Sequence, residues 1–567
     1  MKRDSKMSYS NSIITRRGRM VGTDKAIPGR ESEMVVNNAG GYSFQVSSLD
    51  RLRRFLILGS DSDTYYASAS KMTTDNISGV VNAFEMDGVN AVEEIAVISE
   101  SGRAAKNDPA LFALAMASSY GVNPNYKGAS KDLIRLMRGG KFSNEVRRAA
   151  FEALPRVART GTHIMQFANY MNNMRGWGRM PRAAVSDWFL NHSPEDLAYQ
   201  AVKYRHRHGW SLRDIMRLSH PVHKNDEQGV VFDWIAHHHH GSHTEVDANA
   251  SEKFSVIKAY IEATQAKSAE DIVGLIKIYG NKLPHECIPT EFLNDANVWS
   301  AMIRAGMPMT AMLRNLNRFA KHDVTSDPEI VKMIAERLTD ENQLRKSRIH
   351  PFKILNALSV YKSGQGHMGD MRWKPVKTIC DALDASFYAS FKTFEPANRR
   401  FCLGLDISGS MAISRLNNSM LSARDGAAAM ALITMASEAN CFIGGFSNNF
   451  CKLNISPRLT IGEVINKTSN LPYSPTNPGS MITYALDNKI EADTFVLYTD
   501  NEAWGHYTHT SQLIERYREK TGINAKLIAV GMTATQFSVV DPEDHRQLNV
   551  VGFDTETPSM ITEFSRW

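Results

Sequence analysis

The sequence predicts two unlike folds in series, a long α-helical array followed by an α/β unit built on a doubly wound parallel sheet. Three observations carry that prediction. From Leu49 to about Phe394, apolar residues recur at three- and four-residue spacing, broken by Gly, Pro, Asn and Ser roughly every ten to twenty residues. At Arg399 the texture changes to short apolar runs alternating with amphipathic stretches. The charge divides at the same place. Residues 1–400 carry 54 basic and 43 acidic side chains, and residues 401–567 carry 12 and 17, so the mild net charge of +6 conceals a basic first part and an acidic second one. Only the first favours a polyanion.

Taken in order, residues 1–40 hold Arg16, Arg17, Arg19 and several Ser and Asn, with few periodic apolar positions; they read as a basic, partly mobile tail. Residues 41–398 form the helical domain. Leu111 to Tyr120, Asn144 to Ala158, Trp299 to Phe319 and Pro351 to Tyr361 each have one apolar face, and without a clean repeat period they suggest helix pairs stacked as a degenerate solenoid. Residues 399–567 form the α/β domain. Phe401 to Leu405, Cys441 to Phe446, Thr494 to Tyr498 and Ala525 to Val530 read as buried strands, with helices over Asn418 to Ser437 and Ser511 to Lys520. In such a sheet ligands sit beyond the carboxyl ends of the strands.

Composition removes several classes. With 43% hydrophobic and 22% charged residues the chain can build several cores and is too polar for an integral membrane protein. Its five cysteines contain no CxxC pair, which argues against a disulfide scaffold or a thiolate zinc site. Met1 to Lys6 lead into polar residues without the apolar core of a signal segment, so the expectation is a soluble, cytoplasmic protein of a reducing compartment.

A candidate polyanion site lies between Ser193 and Pro221. Ser193-Pro194-Glu195-Asp196 is a helix start, with a capping hydroxyl, proline at the first position and two acids at the positive end of the dipole. This helix is expected to reach His208 and stop at Gly209; a second, capped by Ser211 with Asp214, is expected to end at His220 before Pro221. On helices, Lys203 and Arg207 would share a face, as would Arg213 and Arg217, and with His220 they could bracket a phosphate backbone. Exposed basic pairs are also common on ordinary solvated helices. The surroundings favour the functional reading: Lys131 to Arg148 holds six basic and two acidic residues, and Arg175, Trp177, Arg179 and Arg182 interleave an aromatic with cations.

A candidate metal site lies in the α/β domain. Asp406, Ser408 and Ser410 follow a predicted strand, Asp500 follows another, and Thr476 lies in the Pro- and Asn-rich loop Leu471 to Gly479. Hard oxygen donors with few carboxylates suit an octahedral Mg²⁺ that retains water or accepts a ligand's carboxylate. Asp-x-Ser-x-Ser alone is also a common turn, and a site that has lost its metal would look the same. Other signals fail. His285-Glu286 meets Pro289 where a zinc-protease helix needs histidine. No Gly-Lys-Ser/Thr phosphate loop and no Gly-x-Ser-x-Gly elbow occurs. His237 to His240 with His243 could bind a transition metal, but the cluster lacks structural-site spacing and reads rather as a polar insertion loop.

The chain resembles the Ro autoantigen family, in which a HEAT-like helical-repeat ring, the TROVE domain, is followed by a von Willebrand A domain. The resemblance is carried by Asn38 to Tyr42, Arg51 to Leu56, Lys203 to Arg205, Gly209 to Ser211, Arg217 to His220, Leu313 to Leu316, Arg348 to Phe352, Phe391 to Pro396, the Asp406 to Ser410 loop, Thr499 to Glu502, Gly531 to Thr533 and Gly552 to Asp554. It implies an RNA-binding protein rather than an enzyme, holding Y RNA on the outer basic surface of the ring and accepting single-stranded 3′ ends of misfolded noncoding RNA in the central hole, in RNA quality control. The family's Y RNA contacts correspond to Lys203, Arg207 and His220. Its metal-dependent adhesion site corresponds to Asp406, Ser408, Ser410, Thr476 and Asp500, where Mg²⁺ would be completed by an acidic residue of a protein ligand. A 3′-to-5′ exoribonuclease is the partner the resemblance implies for a bacterial member. Pro475-Thr476-Asn477 departs from the usual Gly-Thr-Asp, and the His237 to His243 segment matches no family motif. Two rivals stand beside this reading, a metal-dependent protein scaffold without specific RNA and a metal-dependent hydrolase on Asp406 and Asp500, for which no general base or nucleophile is evident.

Overall fold

The computed structural model describes residues 20–59, 69–122, 137–140, 143–238, 244–366, 370–391, 395–416, 419–469, 476–503 and 505–566. Helices form where an apolar stripe coincides with a start signal. Ser47, Thr160, Ser193, Ser211, Ser268 and Asp327 each accept a backbone N–H from the first turn of the helix that follows. Successive helices pack side by side, burying Leu111, Leu154, Trp188, Leu197, Trp299 and Leu355 in one continuous core. The stretch expected as one helix from Trp299 to Phe319 is two, Ala296–Arg304 and Met309–Lys321, because Gly306 turns the chain at φ +79° and Pro308 precedes the second.

The helical run closes on itself. His350 lies before the Pro351–Ser363 helix and its Nε2 donates to the carbonyl of Arg103, 2.9 Å away, just beyond the Ala69–Ser101 helix. The Nδ1 of the same ring accepts the Phe352 N–H at 3.1 Å, which fixes the neutral tautomer with the proton on Nε2. One imidazole thus caps a helix and fastens the last part of the array to the first.

The second unit contains a six-stranded sheet of β5 (Arg400–Asp406), β6 (Asn440–Phe446), β7 (Phe450–Lys452), β8 (Thr494–Thr499), β9 (Lys526–Gly531) and β11 (Gln547–Val551), in the order β11-β9-β8-β5-β6-β7. All neighbours are parallel except β7, which pairs antiparallel with β6 and makes the sheet mixed rather than purely parallel. β5 pairs with β6 on one side and β8 on the other, so the strand order reverses at β5, where an open α/β sheet leaves a crevice. The Ala-rich helix spans Ala423–Ser437, capped by Ser422 and Asp425.

The two units are not separate beads. Residues 20–40, expected to end a loose tail, are folded: β1 (Met34–Val36) pairs with β2 (Tyr42–Gln45), and β2 takes β10 (Phe537–Ser538) from the far end of the chain as its other neighbour. Arg16, Arg17 and Arg19 lie outside the described residues. Arg54, fully buried in the Ser48–Leu58 helix, donates to the Thr535 carbonyl, the Phe537 carbonyl (2.8 Å) and Asn549 Oδ1 (2.6 Å). Arg103 forks onto the Asp554 carboxylate through Nε (2.9 Å) and Nη2 (2.5 Å).

Candidate nucleic-acid interface and metal site

The helix that begins at Pro194 ends at Lys203, not at His208. β3 (His206–Arg207) and β4 (Trp210–Ser211) form a tight hairpin whose connecting residues, His208 and Gly209, both have positive φ (+55° and +79°), as a two-residue primed turn requires. Gly209 therefore turns a hairpin rather than ending a helix. Lys203 and Arg207 consequently share no helical face. The second helix is as expected: Ser211 and Asp214 form a reciprocal capping box, and the Leu212–Ser219 helix ends at His220 in the left-handed conformation (φ +51°).

The hairpin makes one wall of a groove of about 460 Å³. Lys203, Arg207 and Arg213 all line it, so three of the five predicted contacts converge by a route other than helix periodicity; Arg217 and His220 are exposed but lie outside it. Arg205, His206, Trp234, His238 and Tyr260 join the lining, and Glu286 is the one acid among them. The Lys203 ammonium is 3.2 Å from Tyr199 Oη and lies over the Tyr199 and Tyr204 rings at 5.2 and 5.3 Å. Burial works against its charge, but Tyr199, Tyr204 and Glu286 outweigh this and hold its pKa above the usual lysine value. It remains a fixed cation at neutral pH.

Further along the surface, Arg175 is committed to the fold, donating to the Ser118 carbonyl and lying over Phe151, while Trp177 packs against Trp210 beneath the hairpin. Arg179 and Arg182 are exposed. Of the basic stretch Lys131 to Arg148, residues 131–136, 141 and 142 lie outside the described residues.

At the sheet's reversal point, Asp406 ends β5 and Asp500 directly follows β8, both buried. Asp406 accepts from Ser408 N (3.0 Å) and Thr499 Oγ1 (2.7 Å); Ser408 and Ser410 hydroxyls lie 2.9 Å apart; Asp500 accepts from Glu502 N at 3.0 Å. Arg424 holds the loop from beneath, donating to the Ile407 and Ser408 carbonyls. Residues 470–475 of the threonine loop lie outside the described residues; Thr476 is buried, its hydroxyl without a hydrogen-bond partner among the described residues. Burial raises both carboxyl pKa values, Asp500 more strongly because the charges of Asp406 and Glu502 add to it. Among the described residues no group of three or more His, Cys, Asp or Glu is placed to hold a metal ion, so the Asp406 and Asp500 site rests on two carboxylates and neighbouring hydroxyls. His237 ends its helix and His238 pairs with Asp247 at 2.7 Å; residues 239–243 lie outside the described part.

Compared with known families, residues 35–362 match the TROVE domain and residues 400–565 match the Ro60 vWA domain. The chain belongs to the Ro60 family. A Caenorhabditis elegans Ro60 relative, named an RNA-binding protein, is 35% identical over 94% of this chain and 90% of its own length. One from Deinococcus radiodurans, named likewise, is 35% identical over 94% and 96%. The crystal structure of the Deinococcus radiodurans Ro (RSR) protein superposes with a TM-score of 0.66 at 35% identity, covering 92% of this chain and 99% of that one. This Ro60 family member thus has the helical TROVE domain and the C-terminal von Willebrand A domain expected of it. No helix among its described residues is long and apolar enough to cross a membrane.

Sequence reasoning missed Arg205, Trp234 and Tyr260, and read His238 as part of a polar insertion loop rather than of the groove lining. Arg205 stood within a recognised stretch but out of helical register with the chosen cations, while Trp234 and Tyr260 come from other helices and carry no local signal.

Proposed function

We propose that this Ro60 family member binds structured RNA of the Y RNA class along the groove beside the Lys203–Arg213 hairpin, and accepts single-stranded 3′ ends of defective noncoding RNA in the hole of its helical array, in cytoplasmic RNA quality control. The observation that carries the reading is the convergence of Lys203, Arg205, Arg207 and Arg213 on one groove opposed by a single acid. Cations so placed neutralise successive phosphates and release counterions, giving affinity that falls steeply with salt. Arg217 and His220, exposed beyond the groove, extend the contact along the duplex. The test is titration of a labelled Y-like RNA. Lys203→Ala/Arg207→Ala is expected to weaken binding by at least about tenfold and flatten the logarithmic salt slope by about two, with a smaller loss for His220→Ala. Unchanged affinity in the double variant would remove this surface from the reading.

The donor set at the sheet's reversal point supports a divalent metal, with Mg²⁺ the best match. Two buried carboxylates that repel one another's charge, two hydroxyls and the unpartnered Thr476 hydroxyl are what a hard cation would satisfy. The bound ion would supply an open coordination position for an acidic side chain of a protein partner, for which a 3′-to-5′ exoribonuclease is the candidate. Asp406 and Asp500 would hold it, Ser408, Ser410 and Thr476 would complete the shell, and Arg424 would keep the loop in place. Loss of both metal uptake and partner capture in Asp406→Ala is the expected outcome.

A further inference from the structure

The N-terminal hairpin reaches the strand-end site at the other end of the chain. The turn between β1 and β2, residues 37–41, lies against Glu502 and Ala503, just beyond Asp500. Asn37 is buried there, donating from Nδ2 to the Ala503 carbonyl (2.7 Å) and accepting the Gly41 N–H at Oδ1 (3.0 Å). Position 41 requires glycine, because a Cβ would stand 2.1 Å from the Ala503 carbonyl oxygen. From this fixed turn Asn38 Nδ2 donates to Glu502 Oε1 (2.9 Å), and the Ala39 N–H donates to Glu502 Oε2 (3.0 Å). Each oxygen of a buried carboxylate is thus held by a donor of the hairpin.

Glu502 stands beside the two carboxylates of the metal reading. Its N–H donates to Asp500 Oδ1 at 3.0 Å, and its charge helps to raise the Asp500 pKa. A hard cation gains from each added carboxylate, so a third one this near competes for the position that an incoming acid would take. With Glu502 engaged by the hairpin, no three-carboxylate group forms around Asp406 and Asp500 among the described residues. The same N-terminal segment braces the other flank. Thr23 N–H donates to the Tyr507 carbonyl (2.8 Å), and Tyr507 Oη donates to Asn448 Oδ1. The Asn448 carbonyl in turn accepts from Asn477 Nδ2 at 3.3 Å, next to the unpartnered, buried Thr476 hydroxyl.

We infer that the N-terminal hairpin withholds Glu502 from the strand-end metal site, keeping one coordination position open for a carboxylate from outside the chain. The inference rests on the metal reading above and adds a control to it. Asn38 and Ala39 are positioning residues, and a hairpin lifted off Glu502 lets the chain close its own site.

The test uses the full chain with Mn²⁺ standing in for Mg²⁺, since both favour six oxygen ligands, and acetate as the incoming carboxylate. Water-proton relaxation counts the exchangeable waters on bound Mn²⁺, and calorimetry gives its affinity. In wild type, acetate should displace water and tighten Mn²⁺ binding. Asn38→Asp, at a half-buried position and nearly isosteric, sets a like charge against Glu502. It should bind Mn²⁺ about tenfold more tightly without acetate, with about one exchangeable water fewer, and should no longer respond to acetate. Asn38→Ala, which leaves the Ala39 donor in place, should show part of each change. Adding Glu502→Ala to Asn38→Asp should restore the wild-type water count and the acetate response, which a damaged fold would not do. A full acetate response in Asn38→Asp overturns the inference and leaves the metal reading standing, as does a double variant that stays unresponsive or a wild type that binds Mn²⁺ but ignores acetate. A wild type that binds no Mn²⁺ overturns both.

Discussion

Removing Arg103 tests whether the ring closure and the von Willebrand A domain are held as one body. Its guanidinium forks onto Asp554, whose side chain is 1% exposed, and its carbonyl accepts from His350, so the residue touches both seams. In Arg103→Met the Asp554 carboxylate would keep the Glu556 N–H at 3.0 Å and lose its counterion in a site that water does not reach. A buried charge stripped of its partner costs about 3–5 kcal/mol, which raises the population of the opened interface by a factor of about 10² to 5 × 10³. The double variant Arg103→Met/Asp554→Leu removes both charges and should recover much of that loss, as replacing a whole buried pair with apolar groups often does. Hydrogen exchange across the β2–β10 pairing, read with urea unfolding, reports the opening directly. A single variant within about 1 kcal/mol of wild type, or a double variant as poor as the sum of the singles, would refute the reasoning.

Three further outcomes are expected. Mg²⁺ should raise the midpoint of thermal unfolding in wild type but not in Asp500→Ala, and Thr476→Val, which removes only the unpartnered hydroxyl, should weaken metal affinity while leaving the metal-free protein as stable as before. Because burial raises the Asp406 and Asp500 carboxyl pKa values in the folded chain, the metal-free protein should lose stability as pH rises through those raised values, and Mg²⁺ should bind more tightly as pH rises through them, with release of protons; calorimetry in buffers of different ionisation enthalpy decides this. Burial pulls the His350 imidazole down from 6.5 to about 4, so the unfolded chain takes up a proton that the folded one refuses. Stability should fall by about 2 kcal/mol from this group alone between pH 8 and pH 5, and a His350→Asn variant whose acid sensitivity equals that of wild type would count against it.

The architecture was legible because its signals are local. Capping hydroxyls, apolar stripes and the change of texture at Arg399 are written within a few residues, and the strand ends bearing Asp406 and Asp500 follow from two apolar runs. The hairpin was misread for the same reason. Helix periodicity extends plausibly through Lys203 to His208, and only the positive φ of His208 and Gly209 turns the chain back, bringing Arg207 into the groove from a strand. Arg205, Tyr260 and Glu286 meet through tertiary packing between distant elements, for which a single sequence holds no spacing rule. The folding of residues 20–40 was missed because its cause is a strand some five hundred residues away.

That last pairing sets a timetable for biosynthesis. The edge of β2 that receives Phe537 and Ser538 is exposed from the moment the nascent chain leaves the ribosome, as are the donors of Arg54 that have no acceptor until Thr535, Phe537 and Asn549 arrive. At about 5–20 residues per second, residue 537 follows residue 45 by roughly 25–100 s. For that interval the helical domain carries an open strand edge and a cation still without its protein acceptors, so nascent chains, and any fragment ending before residue 537, should be the forms most prone to aggregate and most dependent on chaperones.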